Sequence, residues 1–414
     1  MATAVLSDTH IGAWQLNDLL RYPFFIRRLS AALEGVDEVI LLGDILELRF
    51  QQLEEALRVS APFFAAVGAA LRAGRGRYGR PPRVVYVAGN HDYHFALQLI
   101  EREQERALER GEIKRGDRYR FTGRVRGTAE MFLIRELRRM LGPGVDVEFT
   151  YAYHRLETPA GPLLAMHGHY LDLHLSSPGE RLLALVQQAV TAYRLEAPRP
   201  SFDLYDAVLR PQNELLHWIG QSPAGAQVQS ELWRRLRGGT RQVPRGLLAR
   251  LRRAAARRAF GVGEALAGAA ARQLTRRVLQ EDVTTISPAR ATGVHEGIQA
   301  FMDSLFALQD DLFRLEGWRE PPAYVVFGHT HRPGPLPGLD DPDLWRPSWA
   351  DRRVQVLNCG SWHYDIAHAL TQEYHDTRWP GTLVMIPDDE PPYVLALLKD
   401  LSADLVEELI DTES

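Results

Sequence analysis

The stretch that decides the fold reads Val39-Ile40-Leu41-Leu42-Gly43-Asp44-Ile45-Leu46-Glu47. A short apolar run that ends in glycine is typical of a buried strand followed by a tight turn. Asp44 and Glu47 then fall on the loop beyond the strand, where their carboxylates can meet side chains from other loops. The stretch therefore predicts a buried sheet whose strand ends carry polar chemistry.

Four further segments repeat this arrangement of an apolar run followed by polar side chains. They are Asp8-Thr9-His10, Gly89-Asn90-His91-Asp92, His167-Gly168-His169 and Gly328-His329-Thr330-His331. Helical patterns at 19–33 and 53–71 separate the early segments, and further strands are predicted at 354–357, 382–386 and 393–398. Alternating strands and helices with candidate ligands at strand ends predict an α/β catalytic domain.

Two segments interrupt this alternation. Residues 101–126 are densely charged and predict an exposed helix and loop. Residues 173–320 read as helices punctuated by prolines and glycines, which predicts an all-helical insertion or lid. The catalytic core is then discontinuous, formed by 1–172 and 321–400, and 401–414 is an acidic, helix-compatible tail.

The five polar segments together offer carboxylate, imidazole and amide oxygen donors. This mixed set suits Mn, Fe, Zn, Co or Ni, with Mn²⁺ as the expected ion. Two cations about 3.5–4 Å apart can bind both the attacking water and the leaving oxygen of a phosphate ester. Each segment alone has an ordinary explanation as a turn, but all five in this order predict a phosphate-ester hydrolase.

The five segments resemble the calcineurin-like metallophosphoesterase superfamily, whose pattern is Asp-x-His, Gly-Asp-x-x-Asp/Glu, Gly-Asn-His-Asp/Glu, a later His and Gly-His-x-His. The resemblance implies a β-sandwich flanked by helices, with two metals at its loop edge. It implies that the first metal is bound by Asp8, His10, Asp44 and His331. The second would be bound by Asp44, Asn90, His167 and His329, with Asp44 as the bridge.

Candidate roles for the remaining polar residues follow from their chemistry. His91 can stabilise the transition state or protonate the leaving oxygen, because imidazole changes charge near neutral pH. Asp92 either orients His91 or is simply a turn residue. Glu47 is expected to hold a histidine and not to bind metal itself. His169 and Arg332 are candidates for lining the substrate pocket, although His169 is as compatible with packing.

Departures from the superfamily pattern narrow the substrate. An Asp-Arg-Gly sequel to the second motif is missing, which argues against serine/threonine protein phosphatases, and the tyrosine of purple acid phosphatases is also missing. The run 328–333 resembles UDP-2,3-diacylglucosamine pyrophosphohydrolases, but those typically carry Arg and Asp where this chain has His91 and His169. We therefore expect cleavage of a phosphodiester or pyrophosphate in a nucleotide- or lipid-linked substrate.

Three alternatives stay open at this stage. Residues 7–12 fit the opening Ser-Asp-x-His-x-Gly of some repair nucleases, so DNA or RNA is a possible substrate. The metal site alone does not separate monoesters from diesters. The third alternative is that the protein is not an enzyme and uses the same fold as an interaction scaffold.

The insertion carries thirteen arginines and one acidic residue, Glu264, between 233 and 277. Such a stretch can lie peripherally on an anionic membrane, bind nucleic acid, or form the solvated face of a helical bundle. The chain has no uninterrupted apolar stretch of about 18 residues, so no membrane span is predicted. The single Cys359 excludes internal disulfides. With no leader pattern at the start of the chain, we expect a cytoplasmic protein.

Overall fold

The computed structural model describes residues 2–13, 18–49, 51–74, 81–113, 124–159, 161–169, 308–318, 320–349, 352–364 and 380–413, with single positions at 202, 206, 210, 213, 214, 217, 221, 302 and 305. The Arg-rich stretch 233–277 and most of the predicted insertion lie outside the described residues. The boundaries assigned to core, insertion and tail therefore stay predictions.

The described strands form two main sheets and a small hairpin. In chain order the strands are β1 (Thr3–Leu6), β2 (Glu38–Leu42), β3 (Arg83–Val87), β4 (Val125–Arg126), β5 (Asp146–Tyr151), β6 (Tyr153–Thr158), β7 (Gly161–Met166), β8 (Tyr324–Phe327), β9 (Ser348–Trp349), β10 (Arg352–Arg353), β11 (Gln355–Asn358), β12 (Thr382–Ile386) and β13 (Tyr393–Ala396). One sheet has the order β13-β12-β1-β2-β3-β5-β4 and the other β11-β8-β7-β6, while β9 and β10 pair separately. In the larger sheet β1, β2, β3 and β5 are parallel to one another. In the smaller sheet β7, β8 and β11 are parallel.

The two sheets pack face to face. Val5, Ile40 and Val85 of the first sheet share one apolar cluster with Val326 and Leu357 of the second. Residues at neighbouring strand positions, such as Leu6 and Leu41, belong instead to the cluster on the opposite face, because successive side chains alternate across a sheet. The predicted α/β fold, a β-sandwich flanked by helices, is confirmed.

Helices cover the outer face of the larger sheet. The described helices are α1 (Pro23–Ala32), α2 (Leu53–Ala73), α3 (Tyr93–Glu109), α4 (Phe132–Leu141), α5 (Gln309–Glu316) and α6 (Ala403–Glu413). By length and composition α2 could cross a membrane. Its residues Phe63, Phe64 and Leu71 are fully buried in the helix-side core, which is what a core helix of a globular domain requires.

Three predicted elements differ in detail from the structure. The helix expected at 19–33 is a short 3-10 turn over Leu19–Arg21 followed by α1, because Tyr22 is extended and Pro23 starts a new helix. The charged segment at 101–126 starts in α3, where Ala107 is its buried residue, and ends in β4 where a loop was expected, with 114–123 outside the described residues. The acidic C-terminal segment forms α6, which buries Val406 against the core.

Candidate metal centre

The predicted ligands lie on loops at the carboxyl ends of parallel strands. Asp8, Asp44 and Asn90 follow β1, β2 and β3 of the larger sheet. His167 and His329 follow β7 and β8 of the smaller sheet. Because neighbouring parallel strands end at the same edge, one edge of the sandwich collects donors from both sheets.

The backbone is strained at this edge. Within the described part of the chain, five residues other than glycine have positive φ: Asp8 (53°), His10 (47°), Asp44 (53°), His329 (63°) and His331 (57°). All five are predicted ligands. A left-handed conformation costs a non-glycine residue about 1–2 kcal/mol, so it persists only where the surroundings impose it, as at functional sites.

Two glycines let the ligand loops approach one another. Gly43 has φ +82°, and a Cβ there would lie 2.5 Å from Cγ of His167. A Cβ on Gly89 would lie 2.2 Å from Oδ1 of Asp44. Any larger residue at either position would push apart the side chains that the site brings together.

The first donor group consists of Asp8, His10 and His331, whose ligand atoms lie within 4.8 Å of one another. Nε2 of His331 is 3.2 Å from Nε2 of His10 and 3.2 Å from Oδ1 of Asp8. Two imidazole nitrogens this close cannot both carry a proton. The buried Oδ1 of Asp8 thus faces an imidazole nitrogen, whereas Oδ2 is held by Ser7 and the His329 N–H. A cation between these atoms would satisfy all three.

The second donor group consists of Asp44, His167 and His329, again within 4.8 Å. Nε2 of His167 lies 3.2 Å from Oδ2 of Asp44 and 3.1 Å from Oδ1 of Asn90. Asp44 also forms a third group with His10 and His91, in which its Oδ2 is 4.0 Å from Nε2 of His10. Asp44 therefore lies between the two groups, where the resemblance places the bridging ligand.

Hydrogen bonds from the chain fix the orientation of these ligands. Oδ2 of Asp8 accepts from Ser7 Oγ at 2.5 Å and from the His329 N–H at 2.8 Å. Oδ1 of Asp44 accepts from the His91 N–H at 2.7 Å. Nδ1 of His167 donates to the Leu42 carbonyl at 2.8 Å, which turns Nε2 into the site. Each carboxylate is thus held through one oxygen and presents the other to the histidines.

The charges at the site are strongly coupled. Burial raises the pKa of Asp8, but His167 and His331 outweigh it and lower that pKa to about 2. For Asp44 burial is likewise outweighed by His167 and His91, so its pKa lies well below the ordinary value. Burial lowers the pKa of His167, whereas Asp44 and Asp8 raise it to about 9. Both aspartates are therefore ionised, as cation ligands must be.

Glu47 joins two histidines of the site. Its Oε2 lies 3.1 Å from Nδ1 of His10 and 2.7 Å from Nδ1 of His91. Burial opposes ionisation of Glu47, but His91 and His10 lower its pKa far below the ordinary value. Each Nδ1–H donated to Glu47 turns Nε2 of that ring toward Oδ2 of Asp44, at 4.0 Å in both cases. This is the position of a residue that orients ligands.

Asp92, predicted either to orient His91 or to be a turn residue, lies between the loops of the second and third motifs. The Asp92 carboxylate is fully buried and accepts from the Gly89 N–H at 2.6 Å, the Ile45 N–H at 2.9 Å and the Tyr86 hydroxyl at 2.6 Å. Its bonds join the loops of the second and third motifs. Among the two readings of Asp92, this geometry favours the turn residue, and Glu47 is the carboxylate that holds His91.

The two remaining candidates lie at different depths. His169 is 2% exposed, and its ring stacks on Tyr151 with centroids 6.0 Å apart. The position of His169 therefore favours packing beneath His167. Arg332 directly follows His331 and is partly exposed, so it can reach solvent beside the site.

Two residues beside the site were not predicted from the sequence. His363 has its ring centroid 5.5 Å from that of His10 and 6.2 Å from that of His331. No motif marks it in the sequence, because His363 lies outside the five polar segments. Arg49 is buried, and its Nε donates to the carbonyl of Asn90 at 3.1 Å. Nothing in an arginine after Leu48 indicates such a contact before the fold is known.

The donor set fits divalent cations of the Mn, Fe, Zn, Co and Ni group, which accept carboxylate oxygen and imidazole nitrogen together. A β-sandwich with such donors at its loop edge defines a class of metal-dependent hydrolases. The chain matches the family model of calcineurin-like phosphoesterases over residues 1–233, more than half of its length, and it belongs to that family. Comparison with curated proteins gives no match.

Membership makes the chain a metal-dependent phosphoesterase, with divalent metals as the family's usual cofactors. The matched range ends before the fifth motif. The fold supplies that motif, because β8 lies beside β7 and carries His329 and His331 to the same edge.

Proposed function

We propose that the protein is a two-cation hydrolase of a phosphodiester or pyrophosphate bond in a nucleotide- or lipid-linked substrate. Mn²⁺ is the expected ion, with Fe, Zn, Co and Ni as alternatives. One observation supports two cations above all: the buried Asp44 shares ligand-atom groups with His10 on one side and with His167 and His329 on the other. A carboxylate has two oxygens, so one residue can serve two cations.

Bound divalent cations supply Lewis-acid activation of water and stabilise charge on the phosphate oxygens. The chain supplies orientation and proton transfer. Glu47 holds Nδ1 of His91, so Nε2 of His91 faces the site and can deliver a proton to the leaving oxygen. Ser7 and the His329 N–H keep Asp8 in its conformation while substrate exchanges.

The preference for a diester or pyrophosphate draws support from two features. The run 328–333 resembles that of pyrophosphohydrolases, and described residues of the insertion, such as Asn213, pack beside the second and third motifs. The nuclease alternative stays open, although the residues that suggested it also have roles in the loop. Ser7 bonds Asp8 and the Leu42 carbonyl, and Gly12 lies against Ala56, so both residues serve the loop whatever the substrate.

The proposal is tested with metal-stripped protein re-loaded with Mn²⁺. Hydrolysis is compared for bis(p-nitrophenyl) phosphate, p-nitrophenyl phosphate, single-stranded DNA and a UDP-linked acyl-sugar pyrophosphate, with Asp44→Ala as the blank. We expect Asp44-dependent turnover that is fastest on the pyrophosphate or the diester. Fastest turnover of the monoester or DNA would contradict the substrate class. Cation binding without any Asp44-dependent turnover would revive the scaffold reading.

We extend the proposal to the place of action, the cytoplasm, with peripheral attachment to an anionic membrane through 233–277. Co-sedimentation of the full chain with vesicles containing anionic lipid is the test. Binding that falls steeply with salt is expected, since arginines contact headgroups. Equal sedimentation with neutral vesicles, or salt-sensitive retention on DNA alone, would contradict it.

A further inference from the structure

Arg49 is a buried cation between the loop of Asn90 and the helical insertion. Arg49 is only 6% exposed. Nε donates to the main-chain carbonyl of Asn90 at 3.1 Å, and Nη2 donates to Oδ1 of Asn213 at 2.5 Å. The Arg49 N–H donates to Oε1 of Glu47 at 3.1 Å. One side chain therefore connects a predicted cation ligand to the insertion.

The guanidinium also packs against the side chain of Asn90. Its Nη1 and Nη2 lie 3.1 and 3.2 Å from one end of the Asn90 amide, while the other end faces Nε2 of His167 at 3.1 Å. With Oδ1 turned toward His167, as a cation ligand must be, the Asn90 NH2 group faces the guanidinium N–H groups donor to donor; with the amide reversed, its oxygen accepts from Nη1 and Nη2 instead. Arg49 therefore holds Asn90 as a ligand through the main-chain carbonyl and not through the amide.

Described residues of the predicted insertion hold this arrangement from outside. Positions 206, 210, 213, 217 and 221 are each helical. Among them Asp206 accepts from the Tyr93 hydroxyl at 2.6 Å, and Nε2 of Gln221 donates to the Gln51 carbonyl at 2.7 Å. These residues are therefore bonded to both sides of Arg49.

His217 adds two contacts. Its ring stacks on His94 of α3 with centroids 4.1 Å apart, and its Nδ1 lies 3.1 Å from the Leu48 carbonyl. Leu48 precedes Arg49 in the chain. This part of the insertion is consequently docked on the loops that carry the second and third motifs.

We propose that Arg49 is a positioning residue: it sets the cation affinity of the position formed by Asn90, Asp44, His167 and His329, and the docked insertion holds it in place through Asn213. The proposal rests on the two-cation function proposed above. Without Asn213 part of a buried guanidinium would lack its acceptor, and a shift of the side chain toward water would relieve that cost at the expense of the bond to the Asn90 carbonyl. Partners of metal ligands are typically worth about 10–100-fold in metal affinity.

The test is Mn²⁺ titration of metal-stripped full-length protein by calorimetry, with bound metal counted by elemental analysis. The variants are Arg49→Met, Asn213→Ala, the double variant and Arg58→Met, a control arginine that is exposed and pairs with Glu55. In wild type we expect two ions per chain. In Arg49→Met one ion should bind as before and the other about 10–100-fold more weakly.

The remaining variants separate positioning from general damage. Asn213→Ala should weaken the same ion, and the double variant should be no worse than Arg49→Met, because both changes remove one connection. Arg49→Lys should fall between wild type and Arg49→Met, since lysine lacks the planar fork. Arg58→Met should bind both ions normally.

Each contrary result has a distinct meaning. A single ion in wild type would contradict the proposed function. Two ions in wild type with unchanged or tighter binding in Arg49→Met would overturn the role of Arg49 and leave the function standing. Equal weakening of both ions together with a lower free energy of unfolding would also overturn it, because that is the result of a structural role. Asn213→Ala decides the case if Arg49→Met does not fold.

Discussion

At His331 the geometry of the site lowers the stability of the fold. Its backbone is held at φ 57° while its ring nitrogen lies within 3.2 Å of two other ligand atoms. Four more predicted ligands share this left-handed conformation. Neither the backbone nor the clustered donors favour the fold on their own, so packing elsewhere must compensate for both.

Replacing His331 by glycine or by alanine separates these two costs. Both variants lose the imidazole, but only alanine retains a Cβ in the left-handed conformation. In metal-free protein we expect His331→Gly to be more stable than His331→Ala by about 1 kcal/mol, measured by urea unfolding. Equal stability, or a more stable alanine variant, would contradict backbone strain at this residue.

His154 gives the fold a dependence on pH away from the metal centre. It is 5% exposed on β6. Burial, with Arg83 and Arg124 nearby, lowers the pKa of His154 to about 4 from 6.5. The unfolded chain therefore binds a proton more readily than the folded one, so stability is full above the unfolded pKa and is lost as pH falls through the interval toward the folded pKa.

His154→Gln removes this titration. On lowering the pH from about 7 to about 5, the stability of wild type relative to the variant should fall by about 2 kcal/mol, measured by urea unfolding at both pH values. Glutamine keeps a polar, neutral side chain, so the comparison isolates the proton. Parallel pH profiles for the two proteins would be the contrary result.

For single residues, the sequence predicts which residue types form the site better than it predicts which side chains they contact. The ligand residues were predictable because metal chemistry demands carboxylate and imidazole in ordered motifs. Their partners were not, since Glu47 and Asp92 are both acids near His91 and only the folded loops show that Glu47 reaches it. His363 and Arg49 depend on contacts between distant loops, which no local pattern records.

Among the elements, α2 and α4 meet unusually closely. A Cβ on Gly68 of α2 would lie 2.0 Å from the carbonyl oxygen of Leu141 at the end of α4. The backbone of one helix thus touches the end of the other, and glycine is what permits the contact. Helix propensity and packing make opposite demands here, because alanine favours a helix over glycine by about 1 kcal/mol.

Gly68→Ala tests which demand is stronger. The contact distance cannot be relieved by a side-chain rotation, so we expect the variant to be less stable than wild type by about 1–3 kcal/mol in thermal or urea unfolding. Ala69→Gly, at an exposed position of α2, is the matched control. It should lose only the helix propensity of alanine, about 1 kcal/mol. A stabilised Gly68→Ala variant would show that the helices separate freely.

Apolar runs predicted most of the strands, because a strand that is buried on both faces consists largely of consecutive apolar residues. In β2, for example, all five residues are buried. Helix limits were harder to predict. The turn at Tyr22 divides one apolar pattern into two elements, and the burial of Val406 in α6 depends on a surface formed by distant parts of the chain.

For the whole molecule, the metal centre joins parts of the chain that are far apart. Asp8 and His331 belong to one donor group although they are 323 positions apart in the sequence. Cations that bind only the assembled group stabilise the native state by mass action, by about 2.7 kcal/mol at a hundredfold excess over Kd. Folding stability and metal occupancy should therefore change together.

Metal removal provides the corresponding measurement. We expect Mn²⁺ to raise the thermal midpoint of stripped wild-type protein by several degrees, whereas Asp44→Ala should gain much less because it lacks the shared ligand. Mg²⁺ at the same ionic strength controls for screening. A similar rise in both proteins would point to ion binding elsewhere.

The position of β1 has a consequence for how the protein is made. This strand lies between β2 and β12, and its residues Thr3, Ala4 and Val5 pair with Ile386, Met385 and Val384. Synthesis on the ribosome delivers β1 and β2 long before β12, so one edge of β1 stays unpaired until the chain has emerged through Ile386. A nascent chain halted before β8 lacks His329 and His331, and no partly synthesised molecule of that length can carry the complete active centre.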